Sequence, residues 1–347
     1  MPGGRKNPVA ALDPDQYVGI AAGTKGEPIA PVLGFSMKKR VSITLAGLFF
    51  CGAIIIGTTS DLIPSPVGIQ DAKPQRYELP KWATRAADPV PVRGRGPVMR
   101  CEAALIIDNL SNDVLFTQNA LQKRSIASLS KLLTSLVFIE SGVDLSTVVE
   151  VTKEDAFESS RSKLRPGDKL ALRDYLYAAL VSSDNRAARV LARSAGISRE
   201  EFVARMNDRA RSLGMDSTRV IEPTGLAEEN VSNARDCALL LNTVLKNPLL
   251  RQVASTPETT VSCVNRPRLY HLVNTNRLLR GGFQFVGSKT GYIDAAGWCI
   301  AARSTAQDGH DVTVVVLGAP SNTNRFRALK NALTWAYSLP RPDASGS

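Results

Sequence analysis

From about residue 98 to residue 339 the chain switches between two apolar periodicities. AALIIDN and DVLFTQN are short apolar-rich runs on either side of Asn109–Asn112, and they predict a hairpin. In SLSKLLTSLVFIESG, Leu129, Leu132, Leu133, Leu136 and Val137 fall at i, i+3, i+4, i+7 and i+8. That spacing predicts a helix with one apolar face, ended by Gly142. Helical patterns continue through LALRDYLYAALVSS, NRAARVLARSAG, REEFVARMNDRARSLG and ARDCALLLNTVLK. Strand patterns return in FQFVGSKTGYI, GWCIAARST and DVTVVVLGA, and RFRALKNALTWAYSL closes as a helix. Helices therefore form a central insertion between strands near the two ends. This order predicts an α+β domain over residues 98–340, with one sheet built from both ends of it.

A different pattern precedes that domain. Residues 41–60 carry no charge and follow the basic cluster Lys38-Lys39-Arg40. About twenty residues at about 1.5 Å each span about 30 Å, the thickness of a bilayer core. A basic cluster ahead of an apolar run is the arrangement of a signal peptide or an N-in membrane anchor. A buried core helix would not need such asymmetric flanks. Thr58 and Ser60 offer a small-residue cleavage site, so residues 37–60 read as either a signal or an anchor in the inner membrane. Bulky Phe50 before Cys51 argues against a lipid-bearing cysteine. Residues 1–36 are Gly/Pro-rich without a helical period: a disordered tail, or untranslated if Met37 is the start. Seven prolines between residues 61 and 97 predict an extended linker, and residues 341–347 a short tail.

Composition narrows the function classes. With 44% apolar and 22% charged residues over 347 positions, the chain is neither wholly disordered nor a small disulfide scaffold. Its two histidines, His271 and His310, disfavour a His-rich metal site or a Ser-His-Asp triad. No C-x-x-C pair occurs among the five cysteines, so neither zinc nor a thioredoxin-like site is signalled. Cys101, Cys237, Cys263 and Cys299 leave three pairings open for two bridges. The net charge of +11 favours an anionic neighbourhood. Without interleaved aromatic and basic residues, nucleic acid is not indicated.

Three short motifs carry candidate chemistry. Ser128-Leu129-Ser130-Lys131 places Ser128 and Lys131 one helical turn apart, about 5–6 Å at Cβ. A serine needs a base to become nucleophilic, and a lysine serves if burial and a nearby cation lower its pKa. Ser36…Lys39 and Ser160…Lys163 share the spacing but lie in polar or basic stretches, where a solvated pair is the simpler reading. Ser183-Asp184-Asn185 joins two predicted helices. There a hydroxyl can relay a proton and an amide can hold a substrate carbonyl, although helix junctions favour these residues anyway. Lys289-Thr290-Gly291 lies in a predicted strand, where alternation sets Lys289 and Gly291 on one face and Thr290 on the other. It offers charge, a hydroxyl and close backbone approach, or simply a turn before a hairpin.

In this order the three motifs form the set of penicillin-binding proteins and class A β-lactamases. IASLSKLLTSLV, LVSSDNRAARVLA, EPTGLAEENVSNARD, LVNTNRLL and GSKTGYIDAAGWCIAA resemble the D-alanyl-D-alanine carboxypeptidase/endopeptidase family of low-molecular-mass penicillin-binding proteins. SSDNRAA and EPTGL lean to the endopeptidase branch. The resemblance covers roughly residues 98–340. It implies a β-lactamase/transpeptidase-like fold, an antiparallel sheet flanked by helices with an inserted all-helical subdomain, and a site in the cleft between. It also implies a serine DD-peptidase outside the cytoplasm that acts on peptidoglycan stem peptides and is inhibited by β-lactams. The roles that follow are Ser128 as nucleophile, Lys131 as base and Ser183 as proton relay. Asn185, Lys289, Thr290 and Gly291 bind substrate, and the N–H groups of Ser128 and Tyr292 form an oxyanion hole. Arg325 is a possible aid to carboxylate binding. No metal or organic cofactor is required. Two alternatives remain: a β-lactamase, with Glu222 as the nearest candidate deacylating base, and a silent wall-binding protein on the same scaffold.

Overall fold

A computed structural model describes residues 78–84, 96–157 and 162–340. The expected tail 1–36, the apolar run 37–60, the terminal tail 341–347, Ser36 and Ser160 lie outside the described residues.

The first described element is a short helix, α1 (Lys81–Thr84), inside the stretch expected to be an extended linker. Trp82, 3% exposed, and Ala83 are buried, and Arg235 donates from Nε to the Ala83 carbonyl. Part of 61–97 therefore folds against the domain. Its prolines flank the tryptophan but do not prevent a single helical turn.

Strands β1 (Ala103–Asp108) and β2 (Asp113–Gln118) form the expected hairpin. Next come β3 (Arg124–Ser125), a 3-10 turn (Ala127–Leu129) and α2 (Ser130–Glu140). The insertion continues with β4 (Val148–Glu150), β5 (Lys169–Ala171), α3 (Leu172–Leu180), α4 (Asn185–Arg193) and α5 (Arg199–Ser212). It ends with β6 (Val231–Ser232), α6 (Ala234–Val244), α7 (Pro248–Ser255), β7 (Glu258–Ser262) and β8 (Leu269–Val273). β9 (Gln284–Ile293), β10 (Gly297–Thr305) and β11 (Asp311–Ala319) complete the main sheet, and α8 (Asn322–Tyr337) covers it.

The main sheet has the order β2-β1-β11-β10-β9, and every neighbouring pair is antiparallel. It is built from the two ends of the domain, as the pattern predicts. Its central strands are buried on both faces, so they read as near-continuous apolar runs. Ile106, Val314 and Val316 face α8 through Phe326, Leu329 and Leu333. Leu105, Val315 and Leu317 join the larger core shared with the inserted helices.

Helix α2 departs from the amphipathic reading. Ser130, Lys131, Thr134 and Ser135 are as buried as its leucines, because the helix contacts α3, α4, α5 and α6. A helix at the centre of other helices buries its polar positions too, and each then needs a partner. Its end follows expectation, with Ser141 as cap and Gly142 at φ +71°. The four domain cysteines are free thiols, so none of the open pairings is formed.

Candidate active site

The turn before α2 sets the geometry of Ser128. Ala127 has φ +48°, a left-handed conformation uncommon for a residue with a Cβ. Its carbonyl accepts from Ser130 Oγ at 2.9 Å. Ser128 follows on the 3-10 turn and is half-buried, facing a cleft of about 430 Å³. Lys131, one turn on, is fully buried.

Lys131 Nζ lies 2.9 Å from Ser128 Oγ, 2.6 Å from Asn185 Oδ1 and 2.6 Å from the Thr224 carbonyl. The last two partners are acceptors only. They take two hydrogens of the amine and leave the third direction on the hydroxyl, which can donate or accept. A neutral Lys131 fits this arrangement with its lone pair on Ser128, with no rearrangement. Burial lowers its pKa to about 8, against the opposing charges of Glu222 and Asp184 and with a smaller push from Arg189.

The second motif sits at the α3–α4 junction. Ser183 has φ +60°. Asp184 caps α4 by accepting from Ala187 N at 3.1 Å, and it holds Ser162 Oγ at 2.6 and 2.7 Å. Asn185, the first residue of α4, reaches Lys131.

The third motif lies on β9, an edge strand of the main sheet. Lys289 is 1% exposed; its Nζ donates to Ser183 Oγ at 2.7 Å and to the Thr290 carbonyl at 2.9 Å. Burial, then the neighbouring charges of Lys131 and Arg325, hold its pKa well below the usual lysine value. Thr290 and Gly291 line the cleft with Ser128, whereas Lys289 lies beneath it. With Thr290 and Gly291 both on the cleft and Lys289 off it, the strand departs here from strict alternation, and the link from Lys289 to the cleft runs through Ser183. Thr290 Oγ1 donates to Thr275 Oγ1 at 2.6 Å, and Thr275 N donates to the Val181 carbonyl at 3.0 Å.

Gly291 has a steric role. A Cβ there would meet Ile126 O at 2.9 Å and Ser128 N at 3.0 Å, so only glycine lets β9 lie this close to the Ser128 turn. Gly225, at φ +80°, does the same from the other side, since a Cβ would sit 2.1 Å from the Ala127 carbonyl.

Arg325 is 4% exposed, beneath the strand ends. Its Nη1 donates to the carbonyls of Gly291 and Cys299 at 3.1 and 3.2 Å, and Nη2 to Asn322 Oδ1. The guanidinium thus fastens β9 to β10 and α8. Burial lowers its pKa to about 10.

Four supporting residues escape the sequence reading: Thr224, Asn230, Thr275 and Ser162. Asn230 ties Ser130, Ile126 and the 221–222 segment together through its side chain and carbonyl. EPTGLAEEN and LVNTNRLL were the visible signals, but the acceptor is a backbone carbonyl of Thr224, which residue identity does not reveal. Glu222 also takes a different part from the one weighed above. Its carboxylate accepts from the N–H groups of Thr224, Gly225 and Leu226, from Thr224 Oγ1 and from Asn230 Nδ2. It ties the loop and is not among the residues lining the cleft. Neither histidine lines the cleft, and no group of three or more metal-ligating side chains occurs among the described residues.

Residues 91–321 match the family described as D-alanyl-D-alanine carboxypeptidase, peptidase family S11. A D-alanyl-D-alanine endopeptidase of Escherichia coli K12 is 33% identical over 278 residues, covering 78% of this chain and 87% of the relative. One from Pseudomonas aeruginosa is 36% identical over 236 residues, 67% of this chain and 76% of the relative. The crystal structure of the Streptomyces K15 DD-transpeptidase superposes with TM-score 0.67 at 26% identity, covering 71% of this chain and all of that one. The chain belongs to the D-alanyl-D-alanine carboxypeptidase family of serine peptidases, with the transpeptidase-like α+β fold. It is a low-molecular-mass penicillin-binding protein and a serine-type DD-peptidase that acts on peptidoglycan.

Proposed function

We propose that Ser128 attacks a D-alanyl carbonyl, with Lys131 as the base, in a peptidase that favours cross-linked over terminal D-alanyl bonds. The observation that carries the reading is Lys131 Nζ at 2.9 Å from Ser128 Oγ, with its other two hydrogens held by accept-only oxygens. With a pKa of about 8, roughly one lysine in ten is neutral at pH 7; at 10.5 it would be about one in 3,000. Burial thus supplies about 300-fold more active base.

The N–H groups of Ser128 and Tyr292 are the proposed oxyanion donors, supported by the close approach of Gly291 to Ser128 N. Each such donor contributes about 2.7–4 kcal/mol to the transition state. Ser183, hydrogen-bonded to Lys289, returns the proton to the leaving amine. Asn185 and Thr290 orient the peptide, and Lys289, beneath the proposed carboxylate site, acts through Ser183. Arg325 positions Gly291 and, with it, Tyr292. Water then cleaves the acyl-enzyme.

The endopeptidase preference rests on SSDNRAA and EPTGL and on the likeness to the two endopeptidases above. Residues 41–60 are proposed to carry the domain across, or hold it at, the inner membrane, which places it in the extracytoplasmic space. A β-lactamase reading loses its candidate base, because the Glu222 oxygens are taken up by loop donors.

Labelling of the full-length chain with a fluorescent penicillin tests the first part. A stable label on Ser128 supports the peptidase, rapid loss of label the β-lactamase, and no label the silent binder. Digestion of dimeric and monomeric pentapeptide muropeptides tests the second. Release of free D-Ala without loss of dimers would leave only the carboxypeptidase.

A further inference from the structure

We infer that Tyr292, Trp298 and Asp294 form a subsite for the cationic side chain of the residue that precedes the cleaved D-alanine in the stem peptide, a diamino acid. The inference rests on the acyl-transfer reading above, because that reading gives the substrate a direction. β9 is one of the two edge strands of the main sheet, so an extended peptide can pair along its outer side. Along β9 the order is Lys289, Thr290, Gly291 against the Ser128 turn, then Tyr292 and Ile293, with Asp294 next. With the leaving side at Thr290 and the reacting carbonyl at Ser128, the acyl side of the peptide runs past residues 292–294.

That end of the cleft holds a built surface. The rings of Tyr292 and Trp298 stack with centroids 4.0 Å apart and planes at 26°. Arg325 backs the indole, with its guanidinium carbon 5.0 Å from the ring centroid. Tyr292 Oη donates to Asp294 Oδ1 at 2.5 Å, which fixes the carboxylate beside the rings. All four residues line the same cleft as Ser128, and Asp294 is exposed there.

The other ionisable residues that line this cleft are engaged. Asp184 caps α4 and holds Ser162, and Arg325 donates to two carbonyls and to Asn322. A cross-strand aromatic pair stabilises a hairpin with no ligand at all. What points to a ligand is its place on the acyl side of the nucleophile together with an oriented, solvent-facing carboxylate. A methylene chain ending in an ammonium suits both: the methylenes lie on the ring and the cation meets the carboxylate.

The test compares kcat/KM of the full-length chain on two synthetic peptides that share one D-alanyl–D-amino acid bond. They differ only in the side-chain amine of the residue before the D-alanine, free in one and acetylated in the other. An exposed ion pair with a cation–π contact predicts about a fivefold preference for the free amine. The preference shrinks as ionic strength rises. In Asp294→Asn the ratio falls to about one, and in Asp294→Lys it inverts. An unchanged ratio in Asp294→Asn, or no preference in the wild type, overturns the subsite. If neither peptide is cleaved and penicillin leaves Ser128 unlabelled, the acyl-transfer reading itself has failed.

Discussion

Removing the Glu222 carboxylate tests whether the 222–227 loop is part of the support of Lys131, the proposed base. Glu222→Ala strips the partner from the N–H groups of Thr224 and Gly225, both buried. Each orphaned buried donor costs about 1–3 kcal/mol, so the domain loses about 2–6 kcal/mol. At the middle of that range the melting temperature falls by roughly 10 °C. The near-isosteric Glu222→Gln asks the finer question. It removes a charge that raises the Lys131 pKa, so the pKa of Lys131 falls further. It also swaps an acceptor oxygen for a donor against the loop N–H groups. The Thr224 carbonyl, which holds Lys131 at 2.6 Å, then shifts. Misplacement of that kind lowers the acylation rate by about 10–100-fold.

The two effects separate in a pH profile of penicillin acylation between pH 5.5 and 9.5. The plateau of the Gln variant lies lower, while its acid limb moves to lower pH than the wild-type limb near 8. A limb that stays in place or moves upward refutes the electrostatic part. Wild-type melting and acylation in the Ala variant refute the structural part. If the wild type sheds its label quickly while the Ala variant traps it, Glu222 is a deacylating base after all.

In the wild type, acylation should rise about tenfold per pH unit up to an inflection near pH 8. The sign follows from the chemistry: Lys131 must be neutral to accept the proton, and it is neutral only above its pKa. Ser128→Ala should lose all covalent labelling while keeping the wild-type melting temperature within a few degrees, as judged by gel fluorescence and calorimetry. Lys131→Arg should lose acylation as well, because a guanidinium stays protonated in this range. Trp82→Ala should cost about 3–5 kcal/mol in a urea melt of the full-length chain, the usual price of emptying a buried aromatic site.

The motifs were legible because each is short and local. Ser128 and Lys131 share one turn of α2, and the fold brings them together whatever surrounds that helix. The strands of the main sheet and the helices between them were legible too, since periods of 2 and 3.6 persist over whole elements; the short ladders β4–β5 and β7–β8 inside the insertion were not. Three other things were hidden. α1 escaped because one turn among prolines has no period to read. The full burial of α2 escaped because Thr134 and Ser130 are satisfied by partners distant in sequence, Pro223 O and Asn230, while Ser135 Oγ is buried with no hydrogen-bond partner among the described residues. The position of Lys289 beneath the cleft escaped because it depends on packing against the Ser183 turn, which strand alternation does not encode.

Ala127 and Ser183 share an unusual feature that connects the site to the fold. Both are non-glycine residues at positive φ, and each adjoins or supplies a hydroxyl of the proposed chemistry. A left-handed conformation at such a residue costs about 1–2 kcal/mol. It persists only where the surroundings leave no alternative. At Ala127, Ser130 Oγ grips the carbonyl and Gly225 and Gly291 press from two sides. At Ser183 the neighbours are fixed instead: Ser182 Oγ and Asp184 N both donate to the Ala178 carbonyl, and Asp184 caps α4. The strain is therefore held by the same groups that make up the motifs. Ser130 and Asp184 have no reacting part in the proposed chemistry, yet together with Gly291 they fix the two turns that aim Ser128 and Ser183 into one cleft. This explains in physical terms why each motif needs its middle or flanking residue as well as the one that reacts.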